Sequence, residues 1–279
     1  MNAKLPALSP RANPPAGARR YAAHSRIVPH LFGAWPDVSQ HVRDARLVVL
    51  FLDFDGTLVP FAARPEDVWL APAARRAIRQ LVRHRMVRVI ILSGRRRSDV
   101  MKRVAVKGVR YLGLYGWESG AVSSLPEDTQ ALLARLRTAL ASQLRELPGI
   151  HIENKGYSFS IHFRAANPAS AGRAFHILRR GLHEIAPSLR IVEGDKVWEI
   201  VPPQVETKAV ALRMVLSAIR HPFLVIYAGD TVSDEEAFSL LKSGITIHVG
   251  RSRPTHARFR LRSPREAQIF LTRLAEALS

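Results

Sequence analysis

Two aspartates separated by one residue follow an apolar stretch in the first quarter of the chain. Residues 47–52 are all large and apolar, and Asp53, Asp55 and Gly56 come directly after them. Six such residues in a row suit a strand that is buried on both faces, as the strands of a parallel sheet are. Side chains alternate along a strand, so both carboxylates point the same way. Two acids at a dry strand end repel each other, and the pattern therefore predicts a bound metal cation.

Three further polar residues stand where an open α/β sheet binds its ligands. Ser93 and Asp230 each follow an apolar stretch, and ligand crevices lie at the carboxyl ends of parallel strands. Lys208 stands at the start of a predicted helix, where a cation is unfavourable unless it faces an anion. Ser93 alone could also be an ordinary helix N-cap. The positions nevertheless make all three candidates for one site.

The chain divides into three parts by composition and by the spacing of its apolar residues. Residues 1–36 contain no acid and several prolines, and we interpret them as a disordered basic leader. Strands and helices alternate over residues 37–119 and 205–279, as in a Rossmann-like, doubly wound parallel sheet. Residues 120–204 fit two helices and four strands, which indicates an inserted α+β cap domain. We therefore predict an α/β fold with a core and a cap.

The composition excludes several classes of protein. The 279 residues contain no cysteine, which rules out disulfides, thiol catalysis and zinc–thiolate sites. No apolar run approaches the ~18 residues of a membrane span, so we expect a soluble, cytoplasmic protein with no membrane partner. The net charge of +19 can attract anions, but the arginines are spread over many predicted helices and are not interleaved with aromatic residues. We expect a monomer that binds a small anionic molecule and no nucleic acid.

The string DFDGT at residues 53–57 resembles the DxDGT signature of the haloacid dehalogenase (HAD) superfamily of phosphatases. The resemblance implies that Asp53 attacks phosphorus and that Asp55 is the general acid and base. It further implies that Ser93 and Lys208 bind the transferred phosphoryl group.

The superfamily's fourth motif, GDxxxD, is similar to residues 229–234 of this chain. Carboxylate oxygens with open positions for phosphate and water suit Mg²⁺. An acidic helix start capped by Ser233 would also explain Asp234, although it would not explain Asp230. The implied magnesium ligands are Asp53, Asp55, Asp230 and Asp234.

Two segments of the predicted cap resemble a narrower family, the trehalose-phosphate phosphatases. Residues 153–164 are similar to that family's ExKxxSxxxHxR segment, and residues 194–202 are similar to its GxKVxExxP segment. The resemblance implies a Mg²⁺-dependent enzyme that hydrolyses trehalose 6-phosphate through an aspartyl-phosphate intermediate. Charged side chains on cap strands can hydrogen-bond many sugar hydroxyls. The implied substrate-binding residues are Glu153, Lys155, Arg164, Lys196 and Glu199, with His162 as a further candidate. Arg95, two residues after Ser93, is also predicted to bind the substrate, and its alternative is an arginine that faces solvent.

Two positions depart from the pattern of that family. Thr231 stands where the family usually has a second Asp, which predicts altered metal affinity without its loss. Residues 114–118 are LYGWE, whereas the family usually has Asn or His before the glycine. The family pattern therefore does not predict the cap hinge or part of the sugar pocket of this chain. Because a fold does not fix the leaving group, a phosphatase for sucrose 6-phosphate or for a glucosyl or mannosyl phosphate stays an alternative. A relict phosphatase that binds nucleic acid through its basic surface is another.

Overall fold

A computed structural model of the chain describes residues 28–62, 65–119, 125–194 and 196–279. The α-helices of these ranges are Trp35–Asp44 (α1), Pro72–Arg83 (α2), Arg97–Val104 (α3), Glu127–Leu144 (α4), Pro168–Ile185 (α5), Lys208–Ser217 (α6), Val232–Leu240 (α7) and Pro264–Ala277 (α8). The strands are Val48–Leu52 (β1), Val87–Leu92 (β2), Arg110–Leu112 (β3), His151–Asn154 (β4), Phe159–His162 (β5), Arg190–Gly194 (β6), Val197–Val201 (β7), Leu224–Gly229 (β8), Ile245–Val249 (β9) and Phe259–Leu261 (β10). Short 3-10 helices occur at Leu31–Ala34, Pro65–Asp67 and Leu114–Gly116. No helix of the described ranges is long and apolar enough to cross a membrane.

The larger sheet has six parallel strands in the order β10-β9-β8-β1-β2-β3. Apolar side chains from α1, α2, α3 and α8 cover one face, and side chains from α6 and α7 cover the other. Along β1, Val48, Leu50 and Leu52 join the first cluster, whereas Val49 and Phe51 join the second. This central strand is buried on both sides, as its uninterrupted apolar sequence predicts. The core is therefore the expected doubly wound α/β sheet.

The second sheet is antiparallel and lies between β3 and β8 in the chain. Its strand order is β4-β5-β7-β6, and α4 and α5 pack on one of its faces. Alternate strand residues such as Ile161 and Trp198 meet helix residues such as Leu136 and Leu178 in this cluster. The insert is the expected α+β cap. Its boundaries at residues 120 and 204 stay a prediction, because residues 120–124 lie outside the described residues.

The fold begins earlier in the chain than the composition predicts. Of the predicted leader, residues 1–27 lie outside the described residues, but residues 28–36 have a defined place in the fold. Leu31 is completely buried in the core, and the His30 Nε2 atom lies 2.7 Å from a carboxylate oxygen of Glu266 in α8. The prediction of disorder for residues 28–36 is corrected accordingly. One buried leucine and one histidine among prolines give no periodic signal that a sequence pattern could reveal.

Candidate active site

Three neighbouring strand ends and one helix start meet at the carboxyl edge of the core sheet. Asp53 follows β1, Ser93 follows β2, Asp230 follows β8, and Lys208 is the first residue of α6. The strand β1 lies between β2 and β8, so the three strands deliver their polar residues to one place. The topology therefore gathers side chains that are up to 177 residues apart in sequence, from position 53 to position 230.

Lys208 is the buried cation of this edge. Its side chain is 2% exposed, and Nζ donates hydrogen bonds to Asp53 Oδ1 at 2.7 Å and to Asp234 Oδ1 at 2.9 Å. Burial alone would lower the pKa of Lys208, but the two carboxylates raise it above its ordinary value. The amine is therefore held in its charged form, beside two acids and at the start of a helix.

Three carboxylates surround the same small space. Oxygen atoms of Asp53, Asp230 and Asp234 all lie within 4.8 Å of one another. Burial raises the pKa of Asp53 to about 6 against the attraction of Lys208, and it raises the pKa of Asp230 well above its ordinary value. One lysine offsets only part of this negative charge. The donor set therefore fits a divalent cation with a preference for oxygen ligands, such as Mg²⁺.

Asp234 differs from the other two acids because its oxygens already accept several hydrogen bonds. Oδ1 accepts from Lys208 and, at 2.9 Å, from the hydroxyl of Tyr227. Oδ2 accepts from the Thr231 hydroxyl at 2.7 Å and from the backbone N–H groups of Thr231 and Asp230 at 2.9 and 3.2 Å. Burial disfavours the ionised form of Asp234, but the charge and hydrogen bond of Lys208 and the two hydrogen bonds of Thr231 lower its pKa. Asp234 thus caps α7 and orients Lys208.

The turn after β1 allows the Asp230 carboxylate, which follows β8, to lie close to the Asp53 carboxylate, which follows β1. The hydroxyl of Thr57 donates to Asp230 Oδ1 at 3.0 Å and contacts Asp53 Oδ2 at 3.3 Å. Gly56 has a φ of +79°, and a Cβ atom there would overlap the Asp230 carboxylate. Only glycine combines this backbone conformation with this close approach.

Asp55 stands apart from the three clustered acids. Its two oxygens accept hydrogen bonds from the guanidinium of Arg95, each at 2.7 Å, and Arg95 also donates to Asp99 at 2.8 Å. Among the described residues, the group of close acids does not include the Asp55 carboxylate. The predicted roles of Asp55 as proton carrier and as metal ligand, and that of Arg95 as a substrate-binding residue, stay predictions.

A single cleft between the core and the cap contains most of the predicted site residues. The core contributes Asp53, Asp55, Ser93, Arg95 and Lys208 to its lining. The cap contributes Glu153, Lys155, His162, Arg164, Lys196 and Glu199. The cap sheet thus faces the carboxyl edge of the core sheet with its charged side, while its apolar side faces α4 and α5.

The charged residues of the cap are engaged with one another and with the core. Glu199 is 4% exposed and accepts a hydrogen bond from Lys155 Nζ at 3.0 Å. Glu153 lies 2.9 Å from His162 Nε2. Burial would raise the pKa of Glu153, but the hydrogen bond with His162 and the charge of Lys155 lower it. The Arg164 guanidinium lies over the ring of Phe61, 4.8 Å from its centre.

Comparison with known proteins shows the family to which the chain belongs. The family model described as trehalose-phosphatase matches residues 51–265. The chain belongs to the trehalose-phosphatase family. It is 32% identical over 249 residues to a trehalose-phosphate phosphatase of Mycobacterium tuberculosis, covering 84% of this chain and 63% of that protein. The chain thus spans a little under two thirds of the mycobacterial relative's length.

Two other relatives extend the comparison. A probable trehalose-phosphate phosphatase 4 of Oryza sativa is 27% identical, and the match covers 99% of this chain and 78% of that protein. The C-terminal domain of the Candida albicans trehalose-6-phosphate phosphatase superposes with a TM-score of 0.78 at 19% identity, covering 90% of this chain and 99% of that domain. The fold is that of HAD phosphatases.

Four residues contact the site in addition to those predicted from the sequence. Thr57 and Tyr227 bind the clustered acids, and Ser158 and Tyr115 donate hydrogen bonds to Glu199. Thr57 and Ser158 are specified positions of the two motifs that contain them, so the motifs could have predicted that both lie at the site. Tyr227 is a tyrosine in an aliphatic strand, and such a residue needs a buried partner for its hydroxyl.

Proposed function

We propose that the protein is a Mg²⁺-dependent phosphatase that hydrolyses trehalose 6-phosphate to trehalose and inorganic phosphate. The observation that carries the proposal is the cleft in which Asp53 and Lys208 face the charged side of the cap. Membership of the trehalose-phosphatase family supports the choice of substrate, since the mycobacterial and Candida relatives are named for that activity. The acids and cations on the cap strands are the groups that could bind the hydroxyls of a disaccharide.

Asp53 is the proposed nucleophile. Its carboxylate oxygen attacks phosphorus, the bond from phosphorus to the sugar oxygen breaks, and the phosphoryl group is carried as an acyl phosphate on Asp53. A carboxylate that approaches a phosphate dianion needs positive charge nearby, and Lys208 supplies it from 2.7 Å. Ser93 lies beside it at the end of β2 and lines the same cleft, where its hydroxyl can bind a phosphoryl oxygen.

Asp55 is the proposed proton carrier. Asp55 in its protonated form gives that proton to the departing sugar oxygen, and the resulting carboxylate then takes a proton back from the water molecule that attacks phosphorus and releases Asp53. Because both oxygens of Asp55 contact Arg95 in this structure, the pair has to separate before the proton can be delivered. Binding of the substrate phosphate to Arg95 provides a reason for that separation.

Of the four predicted ligands, Asp53 and Asp230 are proposed to bind Mg²⁺ directly, and the role of Asp55 as a ligand stays a prediction. The ion would supply positive charge opposite the phosphoryl oxygens as negative charge develops on them. Asp234 then acts by its charge and by holding Lys208, since its oxygens accept five hydrogen bonds from described residues. Thr231 completes the cap of α7 through its hydroxyl, which accounts for its presence beside a metal site.

The sugar is proposed to lie against the cap. Glu153 and Lys155 on and after β4, Arg164 after β5, and Lys196 and Glu199 beside or on β7 line the cleft opposite Asp53. Carboxylates accept hydrogen bonds from sugar hydroxyls, and the amine and guanidinium groups donate to their oxygens. Arg95 stays at the core side, next to the phosphate.

Phosphate release from trehalose 6-phosphate tests this proposal. The wild-type protein should release phosphate with Mg²⁺ present and lose that activity in EDTA. Asp53→Asn should lower the rate by at least about 10³-fold because it removes the nucleophile. Asp37→Asn, the same substitution at an exposed position on α1, is the matched control and should leave the rate unchanged. Full activity of Asp53→Asn, or in EDTA, would refute the proposal.

The remaining predictions from the sequence concern the oligomeric state, the location in the cell and the binding of nucleic acid. The monomeric state, the cytoplasmic location and the lack of a nucleic-acid partner stay predictions. A formal charge of +19 on each copy supports the monomer through mutual repulsion. Light scattering at low salt, together with a titration against duplex DNA, checks the first and the last of these.

A further inference from the structure

Tyr115 has an unusual backbone conformation at the junction of core and cap. It lies in the short 3-10 turn Leu114–Gly116 that follows β3. The φ angles of Leu114 and Tyr115 are +46° and +59°, in the left-handed region that non-glycine residues rarely adopt. A strained turn of this kind persists only where the surrounding structure holds it, and such turns cluster at functional sites.

The turn is fixed to the loop that carries Ser93. The backbone N–H of Tyr115 donates to the Ser93 carbonyl at 3.0 Å, and that of Leu114 donates to the Arg95 carbonyl at 2.8 Å. The Tyr115 ring lies against Gly94, where an added Cβ atom would be 3.1 Å from the ring and its hydroxyl oxygen. The strained turn therefore places an aromatic ring against the loop of residues 93–95, at the core side of the cleft.

The hydroxyl of Tyr115 reaches across the cleft to the cap. It donates to Glu199 Oε2 at 2.9 Å, and the same oxygen accepts from Lys155 at 3.0 Å. The other oxygen of Glu199 accepts from Ser158 at 3.0 Å. Among the described residues, Tyr115 is the only donor to Glu199 that belongs to the core. Lys155 adds a second, longer link, since its Nζ lies 3.4 Å from the carbonyl oxygen of Gly94.

We propose that Tyr115 is a positioning residue, which holds the Glu199–Lys155 pair of the cap at a fixed distance from the phosphate-binding loop of the core. This inference rests on the proposed function, because it assigns the pair to the sugar end of the substrate. A sugar phosphate fits only when its two ends are bound at the correct separation. Without the tyrosine hydroxyl, Glu199 is held by cap residues alone, and only the longer contact of Lys155 with Gly94 still joins the pair to the loop of residues 93–95.

The substitution Tyr115→Phe removes the hydroxyl and keeps the ring. A hydrogen bond to a charged group is strong enough that its loss should raise KM for the sugar phosphate about 10- to 100-fold. The value of kcat should fall by less than about threefold, and the inhibition constant of inorganic phosphate should be unchanged, because the phosphate end stays intact. Tyr111→Phe is the matched control: it removes a hydroxyl bound to Val106 in the core and should leave KM unchanged.

A double-mutant cycle with Glu199→Gln shows whether Tyr115 acts through that carboxylate. We expect Tyr115→Phe to have little further effect on KM in the Glu199→Gln background. Additive effects, an unchanged KM in Tyr115→Phe, or an equal weakening of phosphate inhibition would each overturn the inference. If the wild-type protein prefers another sugar phosphate, the proposed function fails, and the same cycle measured with that substrate still tests Tyr115.

Discussion

At the scale of single residues, the site is a balance between three clustered acids and one buried lysine. Lys208 contacts Asp53 and Asp234 but not every acid of the group, and burial raises the pKa values of Asp53 and Asp230. Protons or a divalent cation can relieve the excess negative charge. The two therefore compete for the same oxygen atoms.

This competition predicts that Mg²⁺ affinity depends on pH. The pKa of Asp53 lies near 6, above its ordinary value of 3.8, so the metal-free site binds a proton as the pH falls through 6. Because Mg²⁺ must displace that proton to bind, the affinity of the site for Mg²⁺ should be at least about fourfold weaker at pH 5.5 than at pH 7.5. Calorimetric titration with Mg²⁺ at pH 6, in two buffers of different ionisation enthalpy, should show proton release. An affinity that does not change between pH 5.5 and 7.5 would contradict the account.

Gly56 gives a second prediction at this scale. In Gly56→Ala the new Cβ atom overlaps the Asp230 carboxylate and the backbone must keep a φ of +79°, at a cost of about 1–2 kcal/mol. The variant should therefore bind Mg²⁺ more weakly, release phosphate more slowly and unfold at a lower temperature. Gly33→Ala is the control, since nothing lies within 4 Å of its added Cβ atom. Wild-type Mg²⁺ affinity in Gly56→Ala would show that the close approach is unimportant.

The sequence reveals which residues reach the site better than it reveals what they touch. Asp53, Ser93 and Asp230 could be found because each follows a buried strand, and the topology of parallel strands does the rest. The hydrogen bonds of Asp234 and the pair between Asp55 and Arg95 could not be found. They depend on side-chain rotamers and on tertiary partners, which no local pattern encodes.

At the scale of elements, the cap depends on a close crossing of its two helices. Gly181 of α5 is buried against α4, and a Cβ atom there would lie 3.1 Å from the side-chain methyl carbons of Leu136 and Leu140. Gly172 lies on the same helix, but it is exposed and nothing lies within 4 Å of its added Cβ atom. The same substitution can therefore be made at a tightly packed glycine, Gly181, and at an exposed one, Gly172.

We predict that Gly181→Val destabilises the protein by about 1–3 kcal/mol, because the larger side chain overfills the contact between the helices. Gly172→Val should change the free energy of unfolding by less than about 0.5 kcal/mol, since valine and glycine differ little in helix propensity. Urea unfolding of both variants measures the difference. Equal effects of the two substitutions would contradict the packing that we describe.

Strands with a long apolar run are predictable here, whereas the short edge strand β10 is not. The alternation of apolar stretches indicates β1, β2 and β8 directly, because these strands are buried on both faces. The edge strand β10 has three residues, with Arg260 between Phe259 and Leu261, and this is too short to show an alternation. Its place is set by pairing with β9, and only the folded chain provides that partner.

At the scale of the whole molecule, function depends on how the cap lies over the core. The α/β core and the α+β insert follow from the order of elements, and the charged side of the cap follows from two motifs. The cleft between them depends on contacts such as Tyr115 with Glu199 and Arg164 with Phe61. These pairs lie 84 and 103 positions apart, and one of them involves a residue that departs from the family pattern.

The preference among sugar phosphates tests the central claim most directly. We would measure kcat/KM with Mg²⁺ for trehalose 6-phosphate, sucrose 6-phosphate and glucose 6-phosphate on one preparation of the wild-type protein. If the cap binds the second sugar ring, trehalose 6-phosphate should exceed both of the others by at least about tenfold, which corresponds to about 1.4 kcal/mol of transition-state binding. An equal or higher kcat/KM for sucrose 6-phosphate or glucose 6-phosphate would contradict the claim.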